Sequence, residues 1–222
     1  MSTSDFPNYF LKERGLTMEC KNPTTQKGMM TKDVIMTAAL GVLCVAVRMV
    51  FMIAGGIAPL IWLGSHFIDA ILLGPVFMLL VAKVPKGGAV FLVCLLTGLA
   101  FLNSGWPVVV TCIVGGLMCE VILGLGNRTS PSLLTLVITY VVFCLSFIGD
   151  FFPLWFLGDQ FLGQMLSSGM SGEYVETIRS FINGPAIAVI VISIIVGALV
   201  GAFFGHRLMR KHFSAAQVAP EE

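Results

Sequence analysis

The sequence predicts an all-α integral membrane protein, a bundle of six transmembrane helices with both chain ends in the cytoplasm. Composition is the first observation behind this. Of 222 residues, 57% are hydrophobic and 11% charged, where a soluble domain carries about 25% charge. The second is a set of long, nearly charge-free stretches separated by glycine, proline and basic turns, each long enough to span or nearly so. The third is an uneven distribution of basic residues between alternate turns. The net charge of +1 argues against a nucleic-acid partner, which needs a basic face.

The polar stretch 1–32 reads as a cytoplasmic tail with no signal peptide. The first helix is expected over about Asp33–Ala54, broken by Gly55, Gly56 and Pro59. The second runs over about Leu60–Ala82, with Gly74-Pro75 as an expected kink. From Gly87 to Cys119 there is no charge, a run longer than the ~20 residues one span needs. The segment Asn103-Ser104-Gly105-Trp106-Pro107 divides it. This gives a short third helix over about Gly87–Leu102 and a fourth over about Pro107–Leu125, with proline in its first turn.

The fifth helix is expected over about Pro131–Gly149 and the sixth over about Pro185–Met209. Between them, residues 151–166 are aromatic but cut by Pro153, Gly158 and Gly163. Tyr174, Val175, Ile178, Phe181 and Ile182 then follow at helical spacing, predicting a short amphipathic interfacial helix over Gly172–Ile182, with Ser171 as its N-cap. The membrane domain is thus 33–209, followed by a cytoplasmic tail over 210–222.

Six spans place Lys83, Lys86, Arg128, Arg207, Arg210, Lys211 and the basic residues of the first tail on one side. Arg179 faces the other, with Asp150, Asp159, Glu173 and Glu176. By the positive-inside rule, both termini are cytoplasmic and the long connection between helices five and six is extracellular.

Arg48, Asp69 and Glu120 are ionisable residues inside spans. A charge at the bilayer centre costs at least about 2.5–3.5 kcal/mol on insertion scales, so each is expected to face the protein interior. Arg48 and Asp69 fall at similar depth and form a plausible pair, serving either to fix helix packing or to receive an anionic ligand group. Glu120, nearer the cytoplasm, reads as a packing or partner residue. His66, one turn from Asp69, hydrogen-bonds within the bundle or, as a weaker candidate, ligates haem iron.

Trp62, Trp106 and Trp155, with Asn103, form either an interfacial aromatic belt or the wall of a site for a ring-shaped ligand. Gly197, Gly201 and Gly205 line one face of the sixth helix, with Thr37, Ala38 and Gly41 as a lesser stripe on the first. Such stripes pack helices inside a bundle or receive a separate subunit. The six cysteines read as small packing residues, and no metal site is expected. No GxSxG, HExxH or Walker motif is present, so no enzymatic role is expected and the chain has no ATP-driven motor of its own.

GPVFMLLVAKVPKGG from Gly74, GLMCEVILGLGNR from Gly116, FFPLWFLGDQ from Phe151, GMSGEYVETIR from Gly169 and RLMRKHF from Arg207 resemble the Trep_Strep, or MptD-type, family. Its members look like substrate-binding S components of energy-coupling-factor importers. The resemblance spans roughly Thr31–Phe213 and fits the six-helix count. It implies a subunit of the cell membrane that captures a micronutrient, a vitamin-like compound or haem, at the outer face. It also implies partners, a membrane coupling subunit and two cytoplasmic ATPases. No cofactor is implied as permanently bound. Haem would use His66, Met49 or Met52 for iron and Arg48 for a propionate, whereas a smaller vitamin would need only the aromatic wall. In such systems the first helix docks through small residues four apart. Here Val42 follows Ala38 four residues on, so Thr37 with Gly41 is the expected substitute. The competing reading is a stand-alone transporter or channel moving protons through Asp69 and Glu120.

Overall fold

A computed structural model describes residues 28–181 and 184–216. The tail before residue 28, Cys20, the Ile182-Asn183 end expected of the amphipathic helix, and residues 217–222 lie outside them. Among the described residues every regular element is helical: α1 (Thr31–Gly55), α2 (Pro59–Lys83), α3 (Ala89–Ala100), α4 (Trp106–Leu125), α5 (Leu133–Leu145), α6 (Asp159–Ser167), α7 (Gly172–Arg179) and α8 (Gly184–Ala216). Five stretches are long and apolar enough to cross a membrane, namely Thr31–Gly55, Pro59–Lys83, Trp106–Leu125, Leu133–Leu157 and Pro185–Met209.

The sixth expected span is the exception. α3 has 12 residues and at ~1.5 Å per residue rises about 18 Å, short of the roughly 30 Å hydrocarbon core. A single turn, Leu102–Ser104, extends it. Gly105 then adopts φ +124°, a conformation that side chains disfavour, and the chain reverses into α4. The fifth helix is also shorter than expected. It ends at Leu145, and the chain continues to Leu157 through a 3₁₀ turn, Ile148–Phe151, and a π turn, Pro153–Leu157. α8 runs seven residues beyond the expected Met209, to Ala216.

Local sequence sets several boundaries. Pro59 occupies the first turn of α2, where its missing N–H costs nothing. Ser132 caps α5 by accepting from the Thr135 backbone N–H at 3.1 Å. The expected Ser171 cap is present, accepting from Tyr174 N at 3.2 Å, and α7 buries Tyr174, Val175 and Ile178.

Ion pairs and tight contacts define the two ends of the bundle. At one end, Lys86 Nζ lies 2.6 Å from Asp33 Oδ2, joining the α2–α3 turn to the start of α1. Glu120 near the end of α4 accepts from the backbone N–H groups of Val90 and Phe91 at 3.0 and 3.1 Å, satisfying the open amides of the first turn of α3. Arg128 pairs with the same carboxylate and donates to the Lys86 carbonyl at 3.3 Å. At the opposite end, the Tyr174 hydroxyl donates to Gly55 O, at the end of α1, at 2.8 Å.

α8 runs parallel to α2 in direct backbone contact. A Cβ built on Gly197 would sit 2.7 Å from Phe67 O, and one on Gly205 would sit 2.6 Å from Gly74 O. Between them Gly201 lies closer still to the Ala70 carbonyl. The stripe Gly197, Gly201 and Gly205 is therefore consumed inside the bundle, because only a residue without Cβ admits the α2 backbone there. The expectation that it receives a partner is corrected. Thr37 and Gly41 are buried as well, and a Cβ on Gly41 would meet Leu96 and Val93 of α3. Of the expected docking residues, Ala38 is the exposed one.

Val34, Ile35, Val42, Val50 and Ile53 stand exposed along α1, as do Val189, Ile192 and Val200 along α8. Apolar faces of this extent require lipid rather than water. The interior holds Phe77, Tyr140, Phe143, Leu73 and Ile194, all fully buried.

Candidate functional site

Trp62, His66 and Asp69 recur at helical spacing on α2, and all three are buried. Arg48, 3% exposed, reaches them from α1. Its Nε lies 3.1 Å from Asp69 Oδ2, the pairing expected from their matched depth. Its guanidinium carbon lies 4.4 Å from the centre of the Phe147 ring and 5.5 Å from that of Phe143. A guanidinium is weakly hydrated and stacks on aromatic faces, so this setting lowers the cost of its burial.

The His66 ring lies between Phe147, stacked at 5.4 Å, and Phe151, tilted at 4.5 Å. Its Nδ1 lies 3.2 Å from Ser65 Oγ, and its Nε2 lies 4.0 Å from Asp150 Oδ2. Asp150 also accepts from Trp62 Nε1 at 3.1 Å. This carboxylate, 3% exposed, was expected among the outer acidic residues with Asp159, Glu173 and Glu176. The tight 3₁₀ turn following α5 instead folds it back beneath the surface. Its signal was a single acid within the aromatic run FIGDFFPLWF.

Gly149 explains how the turn enters. A Cβ there would stand 2.7 Å from Pro107 O and 2.8 Å from Val108 Cα, so a larger residue would push the segment off α4. Trp155 stacks on Phe151 at 5.6 Å, and its buried indole nitrogen has no hydrogen-bond partner among the described residues.

Asn103 and Trp106 do not join the cluster. Both are exposed, Trp106 at 72%, and no hydrogen bond or ring contact among the described residues links either to it. They sit on the α3–α4 reversal, which turns outward. Glu120 is also apart, held at the opposite end by two amides and Arg128.

A hollow lined by Arg48, Phe51, Met52, Ser65, His66, Asp69 and Phe147 has room for about one water molecule. Arg48 Nε meets Asp69 Oδ2 as an ion pair, while His66 Nε2 and Asp69 Oδ1 are buried there without hydrogen-bond partners among the described residues. Unsatisfied buried polar atoms are costly, so two beside one hollow mark it as a binding site candidate. Phe147 stacks on the His66 ring, Phe151 lies tilted against it, and a carboxylate stands near its Nε2. No group of three or more His, Cys, Asp or Glu side chains suited to a metal occurs among the described residues.

The family model for Trep_Strep, described as a hypothetical bacterial integral membrane protein, matches residues 31–215. The chain belongs to the Trep_Strep family. The matched region takes in the whole helical bundle, the polar cluster and the aromatic segment after α5. No curated protein and no solved structure matches the chain at a significant level. The Trep_Strep description extends to an integral membrane protein, which agrees with the long apolar helices.

Proposed function

We propose that this Trep_Strep protein is the substrate-binding membrane subunit of an energy-coupling-factor importer, capturing a vitamin-like micronutrient at the outer face. The observation carrying this reading is the hollow at Arg48, Asp69 and His66, with unpaired polar atoms beneath an aromatic segment at one end of the bundle. A receptor needs a few fixed polar groups in an apolar, aromatic setting. The enclosed His66 favours a compact organic ligand over haem.

Orientation follows from charge. Lys83, Lys86 and Arg128 share the end where α1 begins, so that end faces the cytoplasm and the aromatic end faces outward. In this reading α3 and its Leu102–Ser104 turn complete a sixth, shortened crossing within the bundle. The exposed Ala38 face of α1 meets the coupling subunit. Hydrolysis of ATP belongs to the partner ATPases.

Affinity isolation from native membrane, with mass spectrometry of the co-purified proteins and small molecules, tests the reading. A coupling subunit and two ATPases are expected, with uptake that stops when ATP is depleted. Isolation of the chain alone, with uptake that persists without ATP and collapses with the proton gradient, would overturn it. Glu120 bears on that rival mechanism, since its carboxylate caps α3 and pairs with Arg128.

A further inference from the structure

Ser65, His66 and Asp150 fix the protons around them by hydrogen-bond arithmetic. A serine hydroxyl has one hydrogen, and Ser65 Oγ gives it to the Trp62 carbonyl at 2.6 Å. At its 3.2 Å contact with His66 Nδ1, Ser65 Oγ must therefore accept, so Nδ1 carries a hydrogen. In neutral His66 the other nitrogen, Nε2, then presents a lone pair. That lone pair faces Asp150 Oδ2 at 4.0 Å. Trp62 Nε1 already donates to Asp150 Oδ2, but an indole N–H does not cancel a charge.

The other charged and titratable groups nearby do not fill the gap. Arg48, on α1, is committed to Asp69. Tyr174, on α7, gives its hydroxyl hydrogen to Gly55 O. Ser104, beside Asp150, is neutral. An ionised Asp150 facing a neutral His66 would be a buried charge with no counter-charge, which costs several kcal/mol.

We propose that His66 and Asp150 hold one exchangeable proton between them, and that this proton latches residues 148–157 onto α2. With the proton present, the pair is either neutral acid to neutral base or carboxylate to imidazolium, and both are compatible with burial. When the proton leaves to hydroxide in bulk water, two lone-pair-bearing groups face each other. The carboxylate then gains by reaching water. Gly149 keeps one side of the segment against α4, so the side that lifts is the one over Trp62 and His66. Lifting it exposes His66, which also lines the hollow at Arg48 and Asp69. The proton site and the moving segment do not depend on which solute the protein carries.

Hydrogen exchange on the purified full chain in lipid nanodiscs, corrected for the intrinsic pH dependence of amide exchange, tests this. Residues 148–157 are expected to exchange at least about tenfold faster on the alkaline side of a single transition. Asp150→Asn removes the ionisable acid: its amide oxygen takes the place of Oδ2, accepts from Trp62 Nε1 and stays neutral at every pH. That variant is expected to stay slow at every pH. In the unmodified protein, nitrogen NMR of labelled histidine is expected to show His66 Nδ1 protonated throughout. Exchange of 148–157 that ignores pH in the natural sequence overturns the proposal. So does an Asp150→Asn chain that keeps the natural pH dependence or exchanges fast throughout, and so does a His66 protonated at Nε2 alone.

Discussion

Arg48 Nε of α1 lies 3.1 Å from Asp69 Oδ2 of α2, with the guanidinium packed on Phe147. Both residues are buried, so each charge depends on the other. Removing one partner from a buried pair costs about 3–5 kcal/mol, whereas replacing both with apolar residues is often neutral or stabilising. Arg48→Ala and Asp69→Ala are each expected to lower thermal stability sharply in detergent. The double variant Arg48→Met with Asp69→Leu is expected to recover most of the loss and to abolish ligand binding. A double variant no more stable than the singles would show that the two charges act independently.

The glycines of α8 carry a second prediction. Gly201→Val places side-chain atoms against the Ala70 carbonyl, where even a Cβ lacks space. Overpacking typically costs 1–3 kcal/mol, and backbone in the way leaves no rotamer to relieve it. Loss of folded protein is expected, measured as the monodisperse fraction after extraction. Val42→Leu, on the exposed face of α1, is the control and is expected to leave folding unchanged. If Gly201→Val folds normally and instead loses the coupling subunit, the stripe serves a partner after all.

Depth and periodicity made part of this architecture legible. Arg48 and Asp69 were readable as a pair because helical rise converts sequence offset into depth. Ser171 was readable as a cap because its side chain acts within its own turn. Asp150 was not readable in its actual role, because a 3₁₀ turn followed by a π turn has no hydrophobic period to announce it. The same turns made the fifth helix end earlier than its apolar run suggests. The glycine stripe was visible, yet whether a stripe faces α2 or an outside helix depends on tertiary contacts. Trp106 and Asn103 share an aromatic and polar loop composition with the cluster, and composition does not carry direction.

Glu120 separates a structural carboxylate from a proton carrier. It accepts from Val90 N and Phe91 N and pairs with Arg128, so its role is to hold α3, α4 and the turn before α5 together. Glu120→Gln retains an amide acceptor but loses the charge. A stability loss of about 1–2 kcal/mol is expected, in the range of a lost cap and a charged hydrogen bond, with uptake retained. Uptake abolished in a Glu120→Gln protein of undiminished stability would instead support proton movement through this residue.

Tyr174 ties α7 to the end of α1, and this tie carries a pH dependence of known sign. Its hydroxyl donates to Gly55 O at 2.8 Å. Burial pushes the phenol above its usual 10.0, and the Asp150 carboxylate adds to this when ionised. A group whose folded-state proton affinity is raised contributes stability that is full below the unfolded value. That contribution is lost as pH rises through the folded one. Docking of α7 should therefore not vary with pH near neutrality, where the phenol keeps its proton, and weaken only above about pH 10, the ordinary tyrosine value. Tyr174→Phe removes the hydroxyl, which is expected to cost about 1 kcal/mol at neutral pH and to flatten the alkaline loss. Hydrogen exchange of residues 172–179 across that range reads both effects. An alkaline loss of equal size in Tyr174→Phe would assign it to another group.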